Sequence, residues 1–283
     1  MLWEELRQDE FQAAIEKSNK LCILPIGCVE SHGIHLPLGC DTMHVYHQCK
    51  LAAEKEPAVV FPPLYFGEKA GAGEYPGTII FHEKLIFEIL EACCKEIHRN
   101  GFKKILIITG HGGNNTLLNS FARSTIIEKN GYLVFTKPAS LKPSFPAELL
   151  KNIEKYPYLT NEDIKILEDY GDKIGGHGCF TETGWVYDTR PDLVRLDLMN
   201  AKDGRSRHVW DKFREYDLYS PFGWNANYPD SLDGDYHEGM NERIARAMTE
   251  AVVDHFAKIF GFLKTETISD EFYDEWAAKN PEL

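Results

Sequence analysis

No stretch of this 283-residue chain approaches twenty consecutive apolar residues, which excludes a membrane-spanning helix and argues against a membrane partner. No Cys-x-x-Cys pair occurs, and seven cysteines are an odd number. A disulfide scaffold is therefore not expected, and a reduced cytoplasm is the compartment that fits. No basic tract offsets the formal charge of -13, so a nucleic-acid backbone is not the expected partner. Internal repeats, low-complexity tracts and linkers are missing too, and residues 1–283 read as one domain. The first nineteen residues are charged and amphipathic rather than a secretory leader.

What the chain does have is alternation. Lys20 to Gly27 (KLCILPIG) and Lys103 to Gly110 (KKILIITG) are short apolar, branched runs of the kind buried on both faces of a parallel sheet. Further strands are expected over 58–66, 78–81 and 132–136. Helices are expected over 43–55, 82–100, 115–129, 145–156, 160–171, 241–262 and 270–279, with a turn at 173–177 and an irregular segment at 216–236. Such a pattern predicts an α/β fold with a mostly parallel central sheet and helices on both faces.

Two glycine-rich segments follow the clearest strands. One is Gly27-Cys-Val-Glu30-Ser-His32-Gly-Ile-His35-Leu-Pro-Leu-Gly-Cys-Asp41, the other Gly110-His111-Gly-Gly-Asn-Asn115. In one sheet, Glu30, His32, Asp41 and His111 would all emerge at the carboxyl edge, where open α/β sheets carry their sites. Hard carboxylate oxygens mixed with imidazole nitrogens suit Zn, Mn or Fe, and a set this large has room for two ions. Asp41 could bridge them through its two oxygens or cap the helix that begins beside it. A third cluster, Gly176-His177-Gly-Cys-Phe-Thr-Glu182-Thr-Gly184, offers a proton donor and another carboxylate. His44 and His47, one turn apart, are expected on a helix surface, and His35 in a supporting role. Cys28, Cys40 and Cys179 flank these motifs. Because carboxylates dominate the same loops, they read as small buried filler rather than thiolate ligands.

Together the segments GCVESHGIHLPLGCD, TGHGGNN and HGCFTET resemble the motifs of the creatininase (creatinine amidohydrolase) family, and Pro76-Gly77-Thr78 resembles its P-G-T triplet. The similarity runs in order over roughly residues 20 to 250. It implies a three-layer α/β/α fold, homo-oligomeric assembly with a hexamer among the forms allowed, and a two-metal site that hydrolyses C–N bonds of small, often cyclic amides. Carried over by position, Glu30, His32, Asp41 and His111 match metal ligands, and His177 and Glu182 match the third motif's histidine and acid. The implied reaction is attack on an amide carbonyl by a metal-held hydroxide, with His177 protonating the departing nitrogen.

Three departures limit that transfer. Creatininase carries a glutamate ligand where this chain has Gly113, which leaves Glu182 as the candidate replacement. Lys69 and Ala72 stand where many members have Ser and His, so creatinine itself is a doubtful substrate. Thr109 replaces an Asn. The alternatives are a formamide hydrolase or peptide-processing hydrolase of the same family, or a non-catalytic binding protein with a structural metal.

Overall fold

The structure is a computed structural model and describes residues 1–69, 71–127, 130–171, 176–234 and 238–281. Four parallel strands, β1 (Leu21–Ile26), β2 (Val59–Val60), β3 (Lys104–Thr109) and β4 (Leu133–Lys137), lie side by side in the order β2-β1-β3-β4. The longer helices are α1 (Phe11–Lys17), α2 (Cys40–Lys55), α3 (Glu83–Arg99), α4 (Asn114–Thr125), α5 (Pro146–Leu150), α6 (Asn161–Tyr170), α7 (Phe180–Thr189), α8 (Asp211–Arg214), α9 (Phe222–Asn227), α10 (Glu242–Thr265) and α11 (Ile268–Lys279).

Side-chain alternation along the strands divides the core into two layers. Leu21 and Ile23 of β1 and Leu106 and Ile108 of β3 pack with Val45, Cys49 and Ala52 of α2 and with Met248, Val252 and Phe256 of α10. Cys22, Leu24, Ile26, Ile105 and Ile107 face the other way, onto Ile86, Leu90 and Ile97 of α3 and Leu117, Leu118 and Phe121 of α4. The result is a three-layer α/β/α arrangement. The α3 residues recur at three- and four-residue intervals, which makes one apolar stripe. The helix starts where the His82 ring accepts the Lys84 backbone N–H at 3.1 Å.

The strand order also sets the site. From β1 the chain passes through α2 on one face to β2. It then returns through α3 on the opposite face to β3, on the other side of β1. The loops leaving β1 and β3 therefore diverge at a reversal of strand order, the crevice in which α/β sheets bind ligands.

Several expectations change. The run 58–66 pairs as a strand only at Val59–Val60, because Pro62 and Pro63 have no N–H to offer a neighbour; Leu64 rejoins Ile26 through an isolated bridge. Residues 78–81 form no strand, and Ile79 merely donates to the Val29 carbonyl at 3.0 Å. The segment 145–156 splits into α5 and a single 3-10 turn at Ile153–Lys155. Helix α2 starts three residues early, at Cys40. Within 216–236, α9 supplies local order. The helix expected over 115–129 ends at Thr125; residues 128–129, residues 173–175 of the turn expected at 173–177, and residues 235–237 with His237 lie outside the described residues. Among the described residues no helix is long and apolar enough to cross a membrane.

Candidate metal centre

The ends of β1 and β3 abut the first turn of α2 with no room for side chains. A Cβ on Gly110 would lie 2.2 Å from the Asp41 carbonyl oxygen, and one on Gly27 2.3 Å from Thr42 Oγ1. Two glycines thus let the start of α2 sit directly on the strand ends, with Asp41 between the two loops. Asp41 occupies the first turn of that helix, whose N-cap is Gly39, so its carboxylate is not the cap. It faces inward and is 1% exposed.

Its two oxygens look in different directions. Oδ1 lies 3.0 Å from His32 Nε2, whereas Oδ2 lies 3.1 Å from His111 Nδ1 and 3.1 Å from Cys28 Sγ. Glu30 Oε1 joins the second group, 2.7 Å from His111 Nδ1 and 3.3 Å from Cys28 Sγ. Glu182 Oε2 stands 3.8 Å from His32 Nε2 and accepts the Gly178 N–H at 2.6 Å. The His177 ring stacks on that of His32 with centroids 4.1 Å apart, and its Nε2 donates to the Ser31 carbonyl at 2.7 Å. The same nitrogen is 3.8 Å from Glu30 Oε2. All six residues expected to form a site are thereby gathered, and all are buried.

The protein atoms alone make this a strongly coupled electrostatic cluster. Burial disfavours the charged forms of Glu30 and Asp41. The histidines outweigh it, His111 and His177 for Glu30 and His32 and His111 for Asp41, and hold both carboxyls below their ordinary range. Burial likewise opposes protonation of His111, yet Glu30 and Asp41 carry its pKa up to about 10. His32 is raised as well, burial being outweighed by Cys40 and Asp41. His177 goes the other way, to about 3, through burial and then the His32 charge. Burial above all lifts Glu182 to about 7. Burial, then Asp41 and Glu30, pushes the Cys28 thiol well up.

Buried carboxylates that must borrow imidazole protons to stay charged are a donor set suited to divalent cations, which replace those protons. Ligating atoms of Cys28, Glu30, Asp41 and His111 all lie within 4.8 Å of one another, as do those of Glu30, His32 and His177 and those of His32, Cys40 and Asp41. His111 Nε2 is buried without a hydrogen-bond partner among the described residues.

Three neighbours from outside the motifs stand out. Lys69 sets its ammonium 2.5 Å from Glu30 Oε2 and 4.8 Å from the centre of the Trp224 ring. Burial lowers its pKa, but Glu30 more than restores it. Trp224 also meets His177 edge-on at 4.9 Å. Glu68 Oε2 lies 2.8 Å from where a Gly113 Cβ would stand, and that Cβ would be 2.4 Å from His111 Nε2, so a side chain at 113 would require the His111 and Glu68 side chains to shift. Nothing in the spacing of residues 66–75 or 216–236 announces these contacts, because both loops reach the site only through the fold.

Other histidines have plainer surroundings. His44 is buried, not on the surface: its ring packs 4.7 Å from that of Trp185 and Nδ1 lies 3.4 Å from Gln48 Oε1. The reason is that α2 is covered by α7 and α10 on this side. His47 is half-buried, 3.8 Å from Asp188. His35 is buried with Nε2 3.0 Å from Thr183 Oγ1, and so fastens the first loop to α7.

The cavity above the cluster, about 320 Å³, is lined by Lys69, His111, His177, Glu182, Trp224 and Asn225 among others. A second cavity of about 170 Å³ shares Gly112, Gly176 and Glu182 with it.

Comparison with known proteins agrees with the motifs. Creatinine amidohydrolase from Pseudomonas putida is 27% identical over 119 residues, covering 40% of this chain and 46% of that protein. The mycofactocin precursor peptide peptidase of Mycolicibacterium smegmatis is 33% identical over 104 residues, 33% of this chain and 40% of its own. The matched stretches thus span less than half of these curated relatives. A crystal structure of creatininase superposes with a TM-score of 0.71 at 19% identity, over 94% of this chain and 98% of the other. Two more creatininase structures, described as a Zn-Zn type and a Mn form, are 20% and 21% identical at TM-scores of 0.67 and 0.65, each over 92% of this chain and 98% of theirs. The family profile described as creatininase, creatinine amidohydrolase, matches residues 4–260, and the chain belongs to the creatininase family.

Proposed function

We propose that this chain is a divalent-metal-dependent amidohydrolase that cleaves a C–N bond of a small, non-peptide amide at a two-ion site. The observation that carries the reading is the divided carboxylate of Asp41, with His32 at one oxygen and Glu30, His111 and Cys28 grouped at the other. Glu30, Asp41 and His111 would hold one ion, and His32, Asp41 and Glu182 the other. Bound there, divalent ions lower the pKa of a water and polarise an amide carbonyl. Relatives with Zn and Mn in the same fold support that choice of cofactor.

The residues around the ions have separate tasks. A carbonyl can only accept, so the contact with Ser31 keeps a hydrogen on His177 Nε2. That nitrogen borders the cavity beside Glu30. Burial and the His32 charge keep the free ring neutral, so it would protonate a departing amine only after taking up a second proton from the attacking water. Stacking on His32 and the edge of Trp224 hold the ring in place. The cavity volume suits a small molecule rather than a folded protein.

The test is elemental analysis of the purified chain together with hydrolysis assays on creatinine, formamido compounds, other small cyclic and linear amides, and short peptides, with Zn, Mn or Fe. About two ions per chain and turnover of a small amide that chelation abolishes is the expected result. Absence of any tightly held ion, or turnover that survives chelation, overturns the reading. Selective cleavage of peptides would move the substrate class to peptide processing.

A further inference from the structure

Cys28 lies two residues beyond the end of β1 and has no solvent exposure. Its Sγ lies 3.3 Å from Glu30 Oε1 and 3.1 Å from Asp41 Oδ2, and His111 Nδ1 lies 2.7 Å and 3.1 Å from those same two oxygens. Four donors from three chain segments, the end of β1, the start of α2 and the end of β3, therefore surround one point. A tetrahedral zinc ion with Zn–S of about 2.3 Å and Zn–O or Zn–N of about 2.0–2.2 Å sets its ligands about 3.3–3.6 Å apart. The observed contacts are shorter by tenths of an ångström up to about 0.6–0.9 Å, the His111–Glu30 pair most, so the four need to spread by less than about 1 Å to admit an ion.

We infer that Cys28 is a fourth protein ligand, bound as thiolate, to the ion held by Glu30, Asp41 and His111. The inference rests on the metal-site reading above and adds a residue and a preference to it. On binding, the S–H bond of Cys28 breaks, its proton leaves to solvent and a sulfur–metal bond forms; nothing is oxidised or reduced. A sulfur donor shifts that position towards zinc, cobalt and other thiophilic ions and away from manganese. With four protein ligands the position also becomes a closed, structure-like site. The water-bearing role then passes to the ion between His32, Asp41 and Glu182.

Charge supports the assignment. In the two-ion reading Glu30, Asp41 and Glu182 carry three negative charges against two divalent ions and the Lys69 ammonium. A Cys28 thiolate adds a fourth and lowers the positive excess from two charges to one, in a buried site where unbalanced charge is costly.

The full-length chain is stripped of metal and loaded with Co(II), and its near-ultraviolet spectrum is recorded for the native protein, Cys28→Ser and Cys40→Ser. Cys40, beside His32 and Asp41, is the other thiol within reach of an ion. The expected result is a sulfur-to-cobalt charge-transfer band in the native protein and in Cys40→Ser that is lost in Cys28→Ser. Zinc affinity in Cys28→Ser should fall by at least about 10- to 100-fold, the loss typical even of a supporting residue. X-ray absorption of the unmutated zinc protein covers the case in which the variant does not fold, and should show about half a sulfur per zinc, one per two-ion site, at about 2.3 Å. Cobalt bound without such a band, a first shell lacking sulfur, or a band lost only in Cys40→Ser overturns the assignment and leaves the metal-site reading standing. No binding of cobalt or zinc at all overturns both.

Discussion

Replacing Asp41 by Asn keeps the shape of the side chain and removes the charge on which both ligand groups converge. Its oxygens meet His32 at 3.0 Å and His111 at 3.1 Å, at 1% exposure. Without metal, stripping one partner from buried charged groups costs about 3–5 kcal/mol, and the lower end applies because both imidazoles can shed their protons. With metal the contrast grows. Zinc at a hundred times its dissociation constant stabilises the folded chain by about 2.7 kcal/mol per site, hence about 5 kcal/mol for two. At about 2 °C per kcal/mol or a little less for a chain of this length, zinc should raise the unfolding temperature by roughly 10 °C. Scanning calorimetry of native protein and Asp41→Asn, each metal-stripped and zinc-loaded, measures both effects. The variant should start lower and gain little from zinc, with the bound ions reduced to one or none. An equal rise in both proteins, with two zinc ions retained per chain, would refute the bridging role.

Two further outcomes can be checked independently. His177→Ala should lower kcat by about 10²–10⁴-fold with metal content nearly unchanged, because the ring acts on a proton rather than on an ion; a parallel loss of metal by elemental analysis would make it a ligand instead. Glu266, where α10 ends, pairs with Lys104 at 2.5 Å and accepts the Ser269 N–H at 2.9 Å. Burial alone would raise its pKa, but these bonds, with that of Lys104 the largest, bring it down to about 2. A depressed folded-state pKa means that this contribution is full above the unfolded value of about 4.3 and disappears as pH falls to about 2. It amounts to about 2–3 kcal/mol, so Glu266→Gln should be less stable at pH 7 and should lose less stability between pH 4.5 and 2 in urea titrations. Identical pH profiles for the two proteins would remove Glu266 from the acid response.

How far the sequence could be read depended on whether the cause of a feature was local. β1 and β3 were legible as unbroken branched runs, and α3 and α10 as periodic stripes, since each pattern reports burial directly. The run 58–66 looked like a strand by composition, and only its pairing showed that two prolines interrupt it. His44 looked like a surface residue because its spacing to His47 says nothing of α7 and α10 folding over it. At the site, the polar glycine-rich loops after β1 and β3 announced Glu30, His32, Asp41 and His111. Lys69 stood out in the sequence only as a departure from the family pattern, and Trp224 gave no comparable signal, for they come from loops whose own residues follow no pattern.

The chain by itself determined which chemistry is available: carboxylates and imidazoles in loops forced to follow buried strands, since branched apolar runs pair in a sheet and glycines alone permit the tight exits. Tertiary structure decided how those groups are shared out. Strand order places β1 next to β3 and seats α2 on both ends, and that seating splits the Asp41 carboxylate between His32 and His111 and brings the Cys28 sulfur within 3.1 Å of it, while the loop after β2 carries the Lys69 ammonium to within 2.5 Å of Glu30. Spacing along a chain limits reach, whereas the direction of a lone pair is set by what the side chain is packed against.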